Sequence, residues 1–177
     1  MTVKRVMQTS RWLGLLTTVL IGAVPALILF GLATGAFTVD ALIAGNPTLN
    51  IVTPPGAGAV TGYVLIEALL MAVGIYVLWQ VRALFGAYAA GDILTLESAQ
   101  TLQRAGGGLL ALAGCNIVAT AVQGVLLTWA NPPGQRQLAV GISNTEIWFL
   151  LTGGLLMVVG WALVEAARQA DENRGFV

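Results

Sequence analysis

Four long apolar stretches, separated by short polar segments, set the pattern of this chain. They lie at about residues 12–37, 60–84, 104–130 and 146–168. A helix rises about 1.5 Å per residue, so about 20 apolar residues cross about 30 Å of hydrocarbon. The pattern therefore predicts an all-α membrane protein. Its expected architecture is an up-and-down four-helix transmembrane bundle forming one transmembrane domain over residues 1–177.

The polar segments punctuate this pattern. Residues 38–58 form a loop marked by Asn46-Pro47 and Pro54-Pro55-Gly56, and Asn131-Pro-Pro-Gly134 breaks the chain after the third stretch. Leu49–Thr53 and the alternating Gln137–Ser143 are expected to pair on the same side of the membrane as a short β-hairpin-like element. Pro25 is expected to kink the first helix, and Gly31-Leu-Ala-Thr-Gly35 offers a GxxxG patch. The basic start followed by an apolar core also suits a signal peptide. That core is too long, however, and no A-x-A site closes it.

The most distinctive polar segment is Arg82–Arg104, the one internal stretch where acids and bases sit close together. It reads as the water-facing connector between two membrane hairpins. Gly91 and Asp92 mark the end of one helix, and Thr95 is a candidate N-cap for the next. Arg82, Tyr88, Asp92, Thr95, Glu97 and Arg104 are its candidate partner-binding residues.

Composition agrees with a lipid setting. Hydrophobic residues make up 57% of the chain and charged residues 9%, against about a quarter charged in soluble domains; the mean hydropathy is +0.85. Eight basic and eight acidic residues cancel, so no nucleic-acid footprint is expected. Histidine is absent, which removes the commonest ligand for haem and for metals; no cofactor and no metal site are expected. Cys115 is single and lies inside an apolar run, where it serves as a small hydrophobe. No catalytic triad, phosphate loop or other reaction-specifying motif is present, and the reading is non-enzymatic.

Basic residues set the expected orientation. Lys4, Arg5, Arg11, Arg82, Arg104, Arg168 and Arg174 share one side in a four-span topology, and Arg136 alone falls on the other. Both termini and the connector are therefore expected on the cytoplasmic face of a multi-pass membrane protein.

Glu67 is the ionisable residue deepest inside a span. Buried in hydrocarbon, it needs a hydrogen-bonding partner. Asn116, Thr120 and Gln123 share one face of the third span, and antiparallel packing brings the Thr120–Gln123 level to the depth of Glu67. A bond from Glu67 to Gln123 or Thr120 is expected, either as polar glue between helices or as a proton- or ligand-binding cluster. Glu165 and Arg168 are placed to pair with each other or with Arg82.

The connector resembles a bacterial membrane family known as domain-of-unknown-function family 2975. The resemblance rests on Arg82-Ala-Leu-Phe85, Tyr88-Ala-Ala-Gly91-Asp-Ile-Leu-Thr95-Leu-Glu97 and Leu102-Gln-Arg104-Ala-Gly106, with a similar Gly153-Gly154-Leu-Leu-Met run and a Gly175-Phe-Val177 ending. It departs at Leu94 and Ser98, where members commonly have Phe and Asn. It implies four membrane helices with cytoplasmic termini, and no catalytic residues. Its members' genes often neighbour small helix-turn-helix regulators, which implies a membrane partner for a cytosolic regulator.

Two functions follow as expectations. One is an interaction, regulatory or accessory subunit that offers the connector to a cytosolic or membrane protein partner, or to another copy of itself. The other is a small transporter or proton-linked subunit using Glu67 with Asn116 and Gln123.

Overall fold

The computed structural model describes residues 3–35, 37–93 and 95–174. Leu94, the Gly175-Phe-Val177 ending and the side chain of Arg174 lie outside the described residues. The chain forms helices α1 (Val3–Thr34), α2 (Val39–Gly45), α3 (Ala57–Ala90), α4 (Leu96–Thr128) and α5 (Asn144–Arg174). All but α2 are long and apolar enough to cross a membrane, as befits a multi-pass membrane protein.

These helices outrun the apolar stretches because their ends are set by capping rather than by the edge of the lipid. At the end of α3, Gly91 takes φ +101°. Its N–H donates to the Tyr88 carbonyl at 3.3 Å, and that of Asp92 to the Ala87 carbonyl at 3.0 Å. This pair of bonds satisfies carbonyls that the last turn would otherwise leave open, and it needs a residue without a Cβ at Gly91. Thr95 then opens α4, its hydroxyl accepting from the Ser98 N–H at 3.2 Å. At α5 the Glu146 carboxylate reaches back to the Ser143 N–H at 2.6 Å and to the Ser143 hydroxyl. The Ser143 oxygen in turn accepts from the Thr145 N–H at 3.2 Å. Ser143-Asn-Thr-Glu146 is thus a capping box.

Neighbouring long helices run antiparallel. Across α3 and α4, the Gly62 site meets Leu126, Glu67 meets Gln123 and Val77 meets the Gly108 site. Gly14 and Thr18 of α1 meet Phe85 and Arg82 of α3. Packing runs in series, α1 on α3, α3 on α4 and α4 on α5, and among the described residues α1 and α5 share no extensive interface. The result is an open helical bundle with α4 at its centre, and α4 carries most of the buried positions.

Small residues allow α4 to be approached from both sides. A Cβ on Gly106 would lie 2.7 Å from the Gly153 carbonyl oxygen, and one on Gly160 would lie 3.0 Å from the Gln103 nitrogen. Gly108 serves the opposite face, where a Cβ would lie 2.7 Å from a Val77 methyl. Away from these seams, Trp12, Phe30, Leu155 and Trp161 are all more than half exposed. Hydrocarbon solvates such a surface, whereas water would not.

Three details depart from the sequence reading. Gly35 lies outside α1, which stops at Thr34: it takes φ +78°, and a Cβ there would lie 3.4 Å from the Thr38 methyl. The loop over 38–58 contains α2, which Thr38 caps by accepting from the Ala41 N–H at 3.4 Å and which Leu42 anchors by burial. The expected β-pairing of the two outer loops is also absent among the described residues.

Those loops do meet, but through side-chain amides. Asn131 Oδ1 accepts from the Val52 and Thr53 N–H groups at 3.0 and 3.1 Å, and its Nδ2 donates to the Asn50 and Gln135 carbonyls at 2.8 and 3.0 Å. Gln137 Oε1 accepts from the Asn50 N–H at 2.9 Å. A ladder needs a donor at alternate backbone positions. The Asn50, Val52 and Thr53 N–H groups are instead taken by carboxamides, each of which offers donors and an acceptor from one point.

Candidate functional site

Two places gather the polar residues that the sequence singles out. The first is inside the bundle. Gln123 Nε2 donates to Glu67 Oε1 at 2.9 Å, joining α4 to α3. Gln123 is buried and Glu67 half-buried. Glu67 lies ten residues past the start of α3 at Ala57, about 15 Å along the helix axis. A carboxylate at that depth is tolerable because a donor meets it inside the protein.

Thr120 and Asn116 do not join this bond. The Thr120 hydroxyl donates to its own helix, to the Asn116 carbonyl at 3.0 Å, and Thr120 is exposed. Thr120 is displaced about 60° from Gln123 around the helix, and back-bonding to residue i−4 satisfies a threonine wherever no partner faces it. Tyr63 and Asn46 extend the cluster instead. Tyr63, one turn before Glu67, has its phenol hydroxyl in contact with both the Glu67 carboxylate and the Asn46 side chain. Asn46 is held at the end of α2 by a bond from its Nδ2 to the Leu42 carbonyl at 2.9 Å. The four-residue spacing of Tyr63 and Glu67 was visible in the sequence. The presence of Asn46 depends on α2, which was not.

The second place is the connector, which proves to be the ends of α3 and α4 with a tight turn between them. Ser98 organises the turn: its hydroxyl donates to the Asp92 carbonyl at 2.7 Å and accepts from the Thr95 hydroxyl at 3.0 Å. A cleft of about 540 Å³ opens beside it, lined by Asp92, Thr95, Glu97, Ser98 and Thr101 together with Ala83 and Ala87. Asp92, Thr95 and Glu97 are exposed. Three of the six expected connector residues thus share one acidic, hydroxyl-rich cleft.

The other three do not line it. Arg82 turns to α1, its Nε donating to Thr18 Oγ1 at 2.8 Å and its guanidinium lying 5.6 Å from the centre of the Trp79 ring. Tyr88 is half-buried on α3, and Arg104 is exposed two turns farther along α4. Glu165 accepts from Gln169 Nε2 at 3.2 Å within α5. On the opposite side of the bundle, Arg136 lies over the Trp129 ring at 4.6 Å.

Inside the bundle a carboxylate meets an amide and a phenol, a set suited to hydrogen bonding. At the turn, the Asp92 and Glu97 carboxylates and the Thr95 hydroxyl are exposed over the buried Ser98 and Thr101, a set suited to basic groups on a partner. Comparison with protein-family models, with curated proteins and with solved structures finds no match to this chain.

Proposed function

We propose that this protein is a non-enzymatic accessory or regulatory subunit of the bacterial inner membrane, with the α3–α4 turn docking a basic segment of a protein partner on the cytoplasmic side. The observation that carries this reading is the acidic cleft of Asp92, Thr95 and Glu97, which stands beyond the apolar part of the helices. The residues that rim it are exposed, and its shape is held by the Ser98 bonds. A preformed acidic cleft at a helix turn steers and orients a basic partner with little reordering. The resemblance of the connector to family 2975 is in keeping with a cytosolic regulator as that partner.

The test is a photo-crosslinking amino acid at Gln100, which is exposed beside the cleft, in cells of the native host. One protein adduct is expected, and it should be lost in the D92N/E97Q double variant. An adduct pattern unchanged in that variant would overturn the reading.

A second reading has its own support. Asn46, Tyr63, Glu67 and Gln123 form a polar line from the outer turn into the bundle, which suits a proton-linked or transport subunit. Under that reading E67Q abolishes proton uptake in proteoliposomes and D92N/E97Q does not.

A further inference from the structure

We infer that the cleft between α1 and α3, at the end of the bundle that carries the α3–α4 turn, binds the phosphate of an anionic glycerophospholipid. The cleft holds about 460 Å³ and is walled by Ser10, Arg11, Gly14 and Thr18 on α1 and by Arg82 and Gly86 on α3. That volume lies within the range of about 300–1,000 Å³ typical of ligand clefts. Two guanidinium groups line it, and among the described residues no carboxylate does.

The two arginines are placed differently. Thr18 donates its hydroxyl proton to the Gly14 carbonyl at 2.8 Å, which turns an oxygen lone pair outward. Arg82 Nε donates to that oxygen at 2.8 Å. One edge of the guanidinium is thereby fixed, and its two terminal nitrogens are left to meet a further acceptor. A planar fork with one bond already made loses little freedom on taking up a phosphate. Arg11 lies nearer the end of α1 and supplies a second, exposed cation to the cleft.

Depth and wall chemistry favour a lipid over a soluble anion. Arg11 lies eight residues after the start of α1 at Val3, and Arg82 eight residues before the end of α3 at Ala90. Each is about 12 Å from its helix end, close to the headgroup level. The rest of the wall is apolar, with Leu15 and Phe85 among its residues, and Leu15 is 59% exposed toward the lipid side. A phosphate at the arginines would lay its glycerol and first acyl carbons against these side chains. A second lipid-facing cleft of about 330 Å³, between α3 and α4, is lined by Ile66, Leu69, Val118 and Val122 and carries no cation. It has no means of selecting a charged headgroup.

The experiment uses the full chain, delipidated in mild detergent and offered equal phosphatidylglycerol and phosphatidylcholine, with retained lipid counted by native mass spectrometry. Wild type should keep one phosphatidylglycerol and little phosphatidylcholine. R82Q and R11Q should each weaken retention about tenfold or more, as expected on losing a charge-assisted bond, while R5Q, at an exposed base outside the cleft, should not. Because R82Q also removes the tie to Thr18, a second variant guards the conclusion. A Cβ on Gly86 meets nothing within 4 Å, so G86L occupies the cleft while both guanidinium groups are kept, and it too should lose the lipid. Equal retention of the two lipids, loss of retention in R5Q, full retention in G86L, or displacement of the lipid by excess inorganic phosphate would each overturn the assignment.

Discussion

A methyl group on Gly106 would lie 2.7 Å from the carbonyl oxygen of Gly153, and one on Gly153 would lie 2.8 Å from the carbonyl oxygen of Gly106. The two helices therefore touch backbone to backbone at this point. Lipid tails are as apolar as leucine, so burial in hydrocarbon gives helices little reason to associate; close packing of small residues supplies it instead. Gly160 repeats the contact seven residues after Gly153, where a Cβ would lie 3.2 Å from the Ala99 carbonyl oxygen.

This seam makes a sharp comparison within one triplet. G106A places its methyl against Gly153 and Met157 backbone atoms that cannot swing aside, and overpacking of this kind costs about 1–3 kcal/mol. G107A meets open space and gains up to about 1 kcal/mol of helix propensity. Thermal unfolding in detergent should therefore show G106A and G153A less stable than wild type, and G107A equal or more stable. Equal behaviour of G106A and G107A would show that the α4–α5 seam is not close-packed.

The triplet also shows how far the sequence was legible. Gly106-Gly-Gly108 permits tight packing, yet nothing in the sequence tells which glycine faces which neighbour, because that depends on how α4 is rotated between α3 and α5. The four apolar stretches were visible since hydrocarbon demands them. The end of α3 at Gly91 and the Thr95 cap of α4 were legible too, whereas the Ser143–Glu146 box that opens α5 was not, since it acts through bonds made beyond the apolar stretch. Depth narrowed the partner of Glu67 to Gln123 or Thr120, and the rotation of α4 chose Gln123. α2 was missed because a seven-residue helix before Asn46-Pro47 carries the same turn-forming residues as a loop. The β-pairing failed for a different reason: alternation in Gln137–Ser143 suggested a strand, while the Asn131 and Gln137 side chains take the Asn50, Val52 and Thr53 N–H groups that a ladder would use.

The Glu67–Gln123 bond should act as a coupled pair. Interhelical bonds in membranes average about 0.6 kcal/mol and reach about 1.7. E67L leaves the Gln123 amide without its acceptor, and Q123L leaves the carboxylate without its donor. Each single change should cost about 1–2 kcal/mol, while the double variant E67L/Q123L should cost less than their sum. Unfolding of the four proteins in one detergent measures the coupling. Strict additivity would mean that the two side chains stabilise the fold independently.

The α3–α4 turn should depend on its caps more than on its charges. T95V removes the hydroxyl that accepts from Ser98 N–H and donates to Ser98 Oγ, a loss of about 0.5–2 kcal/mol. G91A forces a Cβ into φ +101°, at about 1 kcal/mol or more. D92N keeps the backbone carbonyl that Ser98 uses and should leave stability within about 0.5 kcal/mol. Amide exchange over residues 92–98 should accelerate in T95V and G91A and remain unchanged in D92N.

Asn131 ties both outer loops together, so its substitutions should separate its two roles. N131A removes the acceptor used by Val52 and Thr53 and the donors used by Asn50 and Gln135. Asn131 is 2% exposed, so the groups it leaves behind are poorly reached by water, and the cost should be about 1–3 kcal/mol. N131D keeps an oxygen for the Val52 and Thr53 amides but turns the other position into an acceptor facing two carbonyls. Hydrogen exchange reads the difference directly. The Val52 and Thr53 amides should lose protection in N131A and keep most of it in N131D, even though both variants are less stable than wild type. Loss of protection at Val52 in both would mean that the loop is held by Gln137, through Asn50, only when Asn131 is intact.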